Sequence, residues 1–152
     1  MGKIIYERID VQQINLIKNL WEKLRVHHKE KTDYFKERFE QLTFEIRKKV
    51  LLEKSESGLL IIDIAKSAEN NLVAYCVSSI DEKGDGEIDS LFVLEEFRRK
   101  KIGDELMKRS LKWFDENKIE TRRIVVAQGN EEAFAFYQKF GFYHLFNTLQ
   151  QK

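Results

Sequence analysis

The chain has 152 residues, of which 42% are apolar and 12% aromatic, so it can bury a hydrophobic core and is not intrinsically disordered. Its net charge of +1 provides no overall field for nucleic acid or an anionic membrane. No run approaches the roughly 18 apolar residues of a membrane-spanning helix, and the single cysteine, Cys76, excludes an intrachain disulfide. We therefore expect one cytoplasmic domain spanning residues 1–152, with no nucleic-acid or membrane partner.

The first part of the chain predicts one strand followed by two helices. Residues 4–9 favour a strand, and Asp10 and Gln13 have the spacing of a capping box at the start of a helix. Apolar residues then recur three or four positions apart, which predicts a helix with one buried face: Ile14, Ile17, Trp21 and Leu24. After a polar break at residues 26–33, the same spacing predicts a second helix: Phe35, Phe39, Leu42 and Ile46.

The rest of the chain alternates strands and helices. Runs of β-favouring residues separated by short polar turns predict an antiparallel meander of three strands: residues 59–65, 72–80 and 87–93. A helix, a strand, a second helix and a last strand are predicted next: residues 99–117, 123–127, 131–140 and 142–149. Gly141 stands where a helix end needs left-handed backbone. This order predicts a single α/β domain with a mixed sheet.

The connection at residues 91–106 is the stretch with the clearest chemistry. An apolar strand ends, four basic residues follow at positions 98–101, and Gly103 precedes a helical pattern. The first turn of a helix has unpaired N–H groups and the positive end of the helix dipole, so such a turn can bind a pyrophosphate. The alternative is an ordinary strand-to-helix connection whose Lys and Arg side chains point into water.

Two motifs and the order of elements give the chain a resemblance to the GNAT superfamily of acyl-CoA-dependent N-acyltransferases. The first is similar to the family's pyrophosphate motif, Arg/Gln-x-x-Gly-x-Gly/Ala, and here reads Arg98-x-x-Lys101-x-Gly103. The second is similar to the family's Asn-x-x-Ala…Tyr…Gly-Phe motif, and its residues here are Asn130, Ala133, Phe136, Tyr137, Gly141 and Phe142. The chain departs from the family at Lys101, which replaces a glycine, and in its short C-terminal segment after Phe142.

The resemblance implies a mixed, mostly antiparallel sheet of six to seven strands, flanked by about four helices and splayed between the fourth and fifth strands. It also implies acetyl-CoA as co-substrate. The pantetheine arm would lie along Leu91, Phe92 and Val93, with a main-chain N–H near Val93 polarising the thioester carbonyl. The pyrophosphate would bind at the turn formed by Arg98, Arg99, Lys100, Lys101, Ile102, Gly103 and Asp104. Asn130 and Tyr137 would also contact the coenzyme.

Three residues are the candidate catalytic groups. Tyr137 matches the family tyrosine that donates a proton to the departing thiolate, although helical spacing alone would make it a core aromatic residue. Glu87 is the first candidate for the base that deprotonates the acceptor amine, and Asp89, on the same strand face, is the second. The alternative is that both acids are solvated residues at the start of a strand. Asn130 has an alternative role as an N-cap for the helix at residues 131–140.

The acceptor is expected to be the primary amine of a small molecule, of polyamine, aminoglycoside or amino acid type. His27 and His28 are expected in a loop on the acceptor side, where His28 is a candidate acceptor contact. A charged histidine stabilised by a helix C-terminus is the alternative, and no further ligands accompany the pair to form a metal site. Two rival functions remain open: a protein or peptide N-acetyltransferase, and a non-catalytic acyl-CoA-binding module. The resemblance also allows a homodimer.

Overall fold

The computed structural model describes residues 2–152, which form five strands and five α-helices. The strands are β1 Ile5–Ile9, β2 Leu59–Lys66, β3 Leu72–Ile80, β4 Gly86–Val93 and β5 Arg122–Ile124. The α-helices are α1 Lys18–Lys31, α2 Lys36–Gln41, α3 Phe44–Ser57, α4 Ile102–Glu116 and α5 Ala133–Gln138. Two 3₁₀ segments, Val11–Ile17 and Glu95–Phe97, precede α1 and follow β4. No helix of this described part of the chain is long and apolar enough to cross a membrane.

The five strands form one mixed sheet in the order β1-β2-β3-β4-β5. β1 to β4 are antiparallel neighbours, whereas β5 runs parallel to β4 and pairs with it only between Gly86–Ile88 and Arg122–Ile124. β4 continues to Val93 without β5, so the two strands separate there. The predicted mixed, mostly antiparallel sheet and its splay between the fourth and fifth strands are confirmed.

The sheet packs helices on both faces, because β3 is buried on both sides and contributes alternate residues to two cores. One core lies under the first 3₁₀ segment, α1 and α3, and contains Ile14, Ile17, Trp21, Phe44, Leu51, Tyr75 and Val77. The other lies under α4 and contains Ala74, Cys76, Ile88, Ile102, Leu106, Met107 and Phe114. The face predicted for the first helix is confirmed at Ile14, Ile17 and Trp21. The face predicted for the second helix is wrong at its end, because Ile46 is 51% exposed and Phe44 and Leu51 are the buried residues of α3.

The helices of the first half differ from the prediction in two places. The capping box is confirmed, since Asp10 accepts a hydrogen bond from the Gln12 N–H and Gln13 accepts one from the Asp10 N–H. The predicted break at residues 26–33 is wrong for residues 26–31, because α1 continues through His27 and His28 to Lys31. The predicted second helix is two helices, since Thr43 caps the Ile46 N–H at 3.2 Å and starts α3.

From α4 to the C-terminus the structure confirms the predicted elements, each with shorter bounds, except for the last strand. α4 begins at Ile102 rather than at position 99, because Arg99 and Lys101 both have φ of 63° and cannot continue a right-handed helix. Gly141 has the predicted positive φ of 86°. The strand predicted at residues 142–149 is wrong, and the sheet has five strands rather than six to seven. The side chains of Leu145, Phe146 and Leu149 are 84%, 75% and 94% exposed.

Candidate active site

A cavity of about 640 Å³ opens where β4 and β5 separate, which is within the usual size range of small-molecule sites. Its walls come from β4, from residues 125–128 after β5, from Tyr137 of α5, and from the ends of α1 and α2. Thr148 and Gln150 of the C-terminal segment complete the lining. Residues that are more than a hundred positions apart in the chain therefore meet around one space.

A bulge in β4 determines which side chains face this cavity. Ser90 pairs with Val77 and Ile88 pairs with Ser78, so Asp89 is an extra residue in β4. As a result Ile88 and Leu91 both point into the α4 core, although they are three residues apart. On the opposite face, Ser90 hydrogen-bonds the Tyr75 hydroxyl at 2.7 Å. Glu87, Asp89 and Ser90 all line the cavity.

The structure brings Glu87 and Asp89 together around Lys54, a residue that the sequence did not single out. The Asp89 side chain is fully buried, accepts a hydrogen bond from Ser79 at 2.5 Å and is paired with Lys54. Burial raises the pKa of Asp89, although the Lys54 and Ser79 hydrogen bonds oppose this effect. Glu87 lies 3.4 Å from the Lys54 Nζ atom and its side chain is 16% exposed. Glu87 is therefore the better placed of the two carboxylates to meet a solvent molecule or a ligand.

Tyr137 lines the cavity from α5 and packs edge-on against Phe136, with ring centroids 5.3 Å apart. Its phenol oxygen has no hydrogen-bond partner within residues 2–152. Burial raises the pKa of Tyr137, and proximity to Cys76 adds to this effect. The phenol is therefore protonated at neutral pH and has a proton to donate to a group in the cavity.

In the turn after β4, a lysine has the left-handed backbone that is typical of glycine. Lys101, the residue before α4, has φ of 63° and ψ of 19°, and no side chain caps the helix. The first-turn amides of α4 have no partner within the helix, so they are available to an anion. Arg98 turns back and donates to the Val93 carbonyl at 2.9 Å. A Cβ on Gly103 would lie 3.3 Å from Phe136, so this position packs closely against α5.

The remaining predicted coenzyme contacts surround the same strand and turn. Leu91 and Val93 pack in the α4 core, whereas Phe92 packs in the opposite core under the Arg98 guanidinium, 5.5 Å from its ring centroid. Lys100 lies over the Phe97 ring, and Ile102 is buried. Asp104 accepts a hydrogen bond from Lys139 at 3.1 Å. Of this set, the backbone of 91–93 and the turn at 99–103 are open to a ligand.

Asn130 lies at the edge of the cavity and does not cap a helix. α5 begins at Ala133, its N-cap is Glu132, and no side chain makes the capping hydrogen bond. The alternative role for Asn130 as an N-cap is therefore wrong. Its Oδ1 atom lies 3.4 Å from the His27 Nε2 atom, which joins the loop after β5 to the end of α1.

His28 is in the last turn of α1 rather than in a loop, and its ring lies against Phe39 with centroids 5.5 Å apart. Its Nδ1 atom is buried and has no hydrogen-bond partner within the described residues. Burial lowers the pKa of His28 to about 4, and the neighbouring His27 adds to this effect. The ring is therefore neutral at pH 7, so the alternative of a charged histidine stabilised by the helix dipole is wrong.

Gln128, which no sequence pattern singled out, joins the two sides of the cavity. Its Oε1 atom accepts from the Thr32 hydroxyl at 2.6 Å and from the Asp33 N–H at 3.0 Å. Next to it, Gly129 has φ of 93°, and a Cβ there would lie 2.1 Å from the Lys31 carbonyl oxygen. We call this contact between residues 31–33 and 128–129 the clasp. Its partners are about 95 residues apart in sequence, so no local signal could have indicated it.

Three arginines also line the cavity, and they differ in the hydrogen bonds and ion pairs of their side chains. Arg25 is paired with Glu22 at 3.0 Å and donates to the Phe39 carbonyl, and Arg47 donates to the Asp89 carbonyl at 2.9 Å. The Arg38 side chain is exposed and makes no hydrogen bond or ion pair with any described residue. Within the same residues, no group of three or more His, Cys, Asp and Glu side chains could hold a metal ion.

Comparison with known proteins supports the family resemblance. A family model described as Acetyltransferase (GNAT) family matches residues 19–142. No curated protein matches the chain in sequence. A GCN5-related N-acetyltransferase from Ralstonia eutropha JMP134 has a TM-score of 0.77 to this structure at 14% identity, over 99% of both chains.

Two further solved structures share the fold. A mutant of the BH1408 protein from Bacillus halodurans has a TM-score of 0.74 at 19% identity, over 97% of this chain and 98% of that one. The aminoglycoside N-acetyltransferase AAC(6')-Iy, in complex with CoA, has a TM-score of 0.71 at 14% identity, over 100% of this chain and 95% of that one. At these identities the likeness describes the fold.

Proposed function

Because the chain belongs to the GNAT acetyltransferase family, we propose that it is an N-acetyltransferase that moves an acetyl group from acetyl-CoA to the primary amine of a small molecule. The observation that carries this proposal is the cavity at the splay of β4 and β5, where an unpartnered Tyr137 phenol and the Glu87 carboxylate share one lining. One group can donate a proton and the other can accept one. When an acetyl group moves from a thioester to an amine, the amine gives up a proton and the departing thiolate takes one up, so both groups have a use.

The residues around the splay fit the coenzyme. β4 continues past its last pairing with β5, so residues 91–93 have a strand edge to which an extended amide-containing chain can add. The uncapped start of α4, with the exposed cations Arg99 and Lys101, fits a pyrophosphate. Lys101 already has the left-handed backbone that a glycine would adopt there, so the turn keeps its shape despite the substitution. We propose Asn130 as a further contact.

Residues of the chain then accept and donate the protons of the reaction. Acetyl-CoA supplies the acetyl group as a thioester, so that a C–N bond forms to the acceptor while the C–S bond breaks. An amine of lysine type is roughly three pKa units from its reactive form at pH 7, or about 4 kcal/mol. Glu87, directly or through water, takes the proton of the acceptor amine. Tyr137 gives its phenol proton to the departing sulfur, and the His28 ring, which lines the cavity, contacts the acceptor.

Direct transfer without an acyl-enzyme is supported by the state of the only cysteine. Cys76 is buried in the α4 core, where its sulfur contacts Ser110 at 3.5 Å. Burial raises the pKa of the Cys76 thiol to about 11, so the nucleophilic thiolate is scarce at neutral pH. A small acceptor is supported by the clasp, which bridges the side of the cavity where a protein substrate would need an open groove.

The test combines binding and turnover of acetyl-CoA. We expect calorimetry to give micromolar affinity, about −8 kcal/mol, and thiol release to depend on an added amine. Tyr137→Phe should lower kcat by at least tenfold with unchanged acetyl-CoA affinity, and Tyr143→Phe, an exposed tyrosine outside the cavity lining, is the matched control. Binding without turnover by the natural sequence would favour a non-catalytic acyl-CoA-binding module. No binding at millimolar acetyl-CoA would overturn the proposal.

A further inference from the structure

The end of the cavity beside α1 and α2 has an aromatic wall. Trp21, Phe35 and Phe39 line it, and the neutral His28 ring lies against Phe39 at 5.5 Å. Trp21 is itself held in place by an edge contact with Phe44, with ring centroids 5.5 Å apart. A rigid wall of this kind favours an acceptor that carries an aromatic or branched aliphatic group, because apolar surface is removed from water on binding.

The charges of the cavity do not suit an acceptor with several ammonium groups. Among the described residues of its lining, the carboxylates are Glu87 and Asp89. Asp89 is fully buried and paired with Lys54, and Glu87 is already shared by Lys54 and Arg123 at 3.4 and 3.2 Å. Three arginines line the same space. A polyamine or an aminoglycoside would meet more cations than anions there.

Arg38 is the cation of this lining that lacks a partner. Arg25 and Arg47 each make hydrogen bonds that hold their guanidinium groups in place, whereas Arg38 makes none to the described residues. It stands on α2, the same short helix as Phe39. A guanidinium presents a planar set of donors that matches a carboxylate. An anionic group on the acceptor would therefore bind beside the aromatic wall.

We propose that the acceptor is a primary amine of the apolar amino acid class. Its aromatic or aliphatic group would lie against Trp21, Phe35 and Phe39, and its carboxylate would pair with Arg38. This inference rests on the proposed N-acetyltransferase function and names the substrate class of the same site. It selects one of the three acceptor types that the sequence left open, the amino acids, and excludes polyamines and aminoglycosides.

The experiment compares acceptors that differ in one feature. L-phenylalanine and L-phenylalaninamide share the amine and the ring, and only the first has a carboxylate; spermidine, kanamycin and glucosamine 6-phosphate represent the competing classes. Thiol release from acetyl-CoA gives kcat/KM, and calorimetry on the CoA-saturated protein gives binding. We expect L-phenylalanine to bind at least about tenfold more tightly than L-phenylalaninamide. We expect the polycations and the sugar phosphate to be poorer than both.

The variant Arg38→Gln should remove the acid-over-amide preference while leaving binding of the amide within twofold. Lys36→Gln is the matched control, because it removes the same charge from the same helix at a residue outside the cavity lining. A preference that survives in Arg38→Gln, or better turnover of spermidine, kanamycin or the sugar phosphate, would overturn the inference and leave the proposed function intact. If the acid binds as expected but no amine is acetylated, the proposed function fails and the binding inference stands.

Discussion

At the residue scale, the turn proposed to bind the coenzyme is distinguished by left-handed backbone at a lysine. Lys101 has φ of 63°, a conformation that costs a residue with a Cβ about 1–2 kcal/mol compared with glycine. Its side chain is exposed and forms no hydrogen bond or ion pair with the rest of the described chain. The backbone is thus already shaped as a glycine would shape it, and the side chain adds a cation beside the helix start.

Lys101→Gly should therefore stabilise the protein and weaken its hold on coenzyme A. We expect the free energy of unfolding to rise by about 0.5–1 kcal/mol, because relief of the strained φ exceeds the added entropy of the unfolded chain. Lys118→Gly, at φ of 57° beyond the end of α4, should give the same stabilisation. Urea unfolding and calorimetry separate the effects: only Lys101→Gly should lose CoA affinity, by about threefold to tenfold. Tighter binding would mean that the lysine side chain obstructs the phosphate.

Glu87 and Asp89 have different surroundings, so we propose a catalytic role for Glu87 and a structural role for Asp89. Glu87→Gln should lower kcat/KM about a hundredfold and remove the rise of the rate with pH, because the group that accepts the proton is gone. Asp89→Asn should keep the shape of the pH profile and cost about 2 kcal/mol of stability, because Lys54 and Ser79 lose a buried anionic partner. Rate profiles from pH 6 to 10, with urea unfolding, measure both. If the rise of the rate with pH were lost only in Asp89→Asn, Asp89 rather than Glu87 would be the base.

At the scale of elements, the clasp couples the acceptor side of the site to the strand that opens the splay. Thr32 is 1% exposed, and its hydroxyl donates to Gln128 at 2.6 Å. The same glutamine donates to the Asp33 carboxylate at 3.2 Å. α1, α2 and the loop after β5 are therefore held as one frame around the cavity, although each element packs on a different part of the sheet.

Gln128→Ala should loosen this frame. We expect the KM of the acceptor to rise about tenfold with unchanged acetyl-CoA affinity, because the hydrogen bonds of the clasp involve neither the strand edge at residues 91–93 nor the turn at residues 99–103. Stability should fall by about 1–2 kcal/mol, since the buried Thr32 hydroxyl loses the acceptor of its hydrogen bond. Gln138→Ala, an exposed glutamine of α5 outside the cavity lining, is the control. A Gln128→Ala enzyme with the acceptor KM of the natural sequence would show that the clasp does not position the acceptor.

For the molecule as a whole, several acids are buried in their neutral form, and they determine how stability responds to alkali. Burial raises the pKa values of Cys76, Tyr75 and Tyr137, that of Cys76 from 9.0 to about 11. The unfolded thiol ionises first, so the stabilisation is complete below pH 9 and is lost as the pH rises towards 11. Cys76 alone can account for up to about 3 kcal/mol of this loss.

Urea unfolding at pH 8, 9, 10 and 11 should thus show a falling free energy of unfolding. Cys76→Ala should be less stable at pH 8, because it leaves a small cavity, but should lose less stability between pH 9 and 11. Cys76→Ser, which keeps a polar group for Ser110 and removes the titration, is the second variant. Equal slopes for all three proteins would show that the thiol does not titrate in this interval.

How much the sequence determined depended on the range of each interaction. The strand and helix order, the buried face of the first helix, the capping box at Asp10 and the left-handed Gly141 all follow from spacing and turn chemistry within a few residues. The same local patterns indicated the coenzyme turn and Tyr137 through the family resemblance. They failed at residues 142–149, which pair with no strand of the described sheet and are exposed except for Phe142.

The tertiary structure alone decided which of these groups meet. The Asp89 bulge, the Lys54 bridge, the Gln128 clasp and the unpartnered Arg38 depend on contacts between elements that no spacing along the chain encodes. Burial in particular is a property of the assembled molecule, and it changed the chemistry of His28 from a charged helix-end residue to a neutral ring in the cavity wall. Sequence patterns indicated the family, and the packing around the cavity supports the acceptor class that we propose.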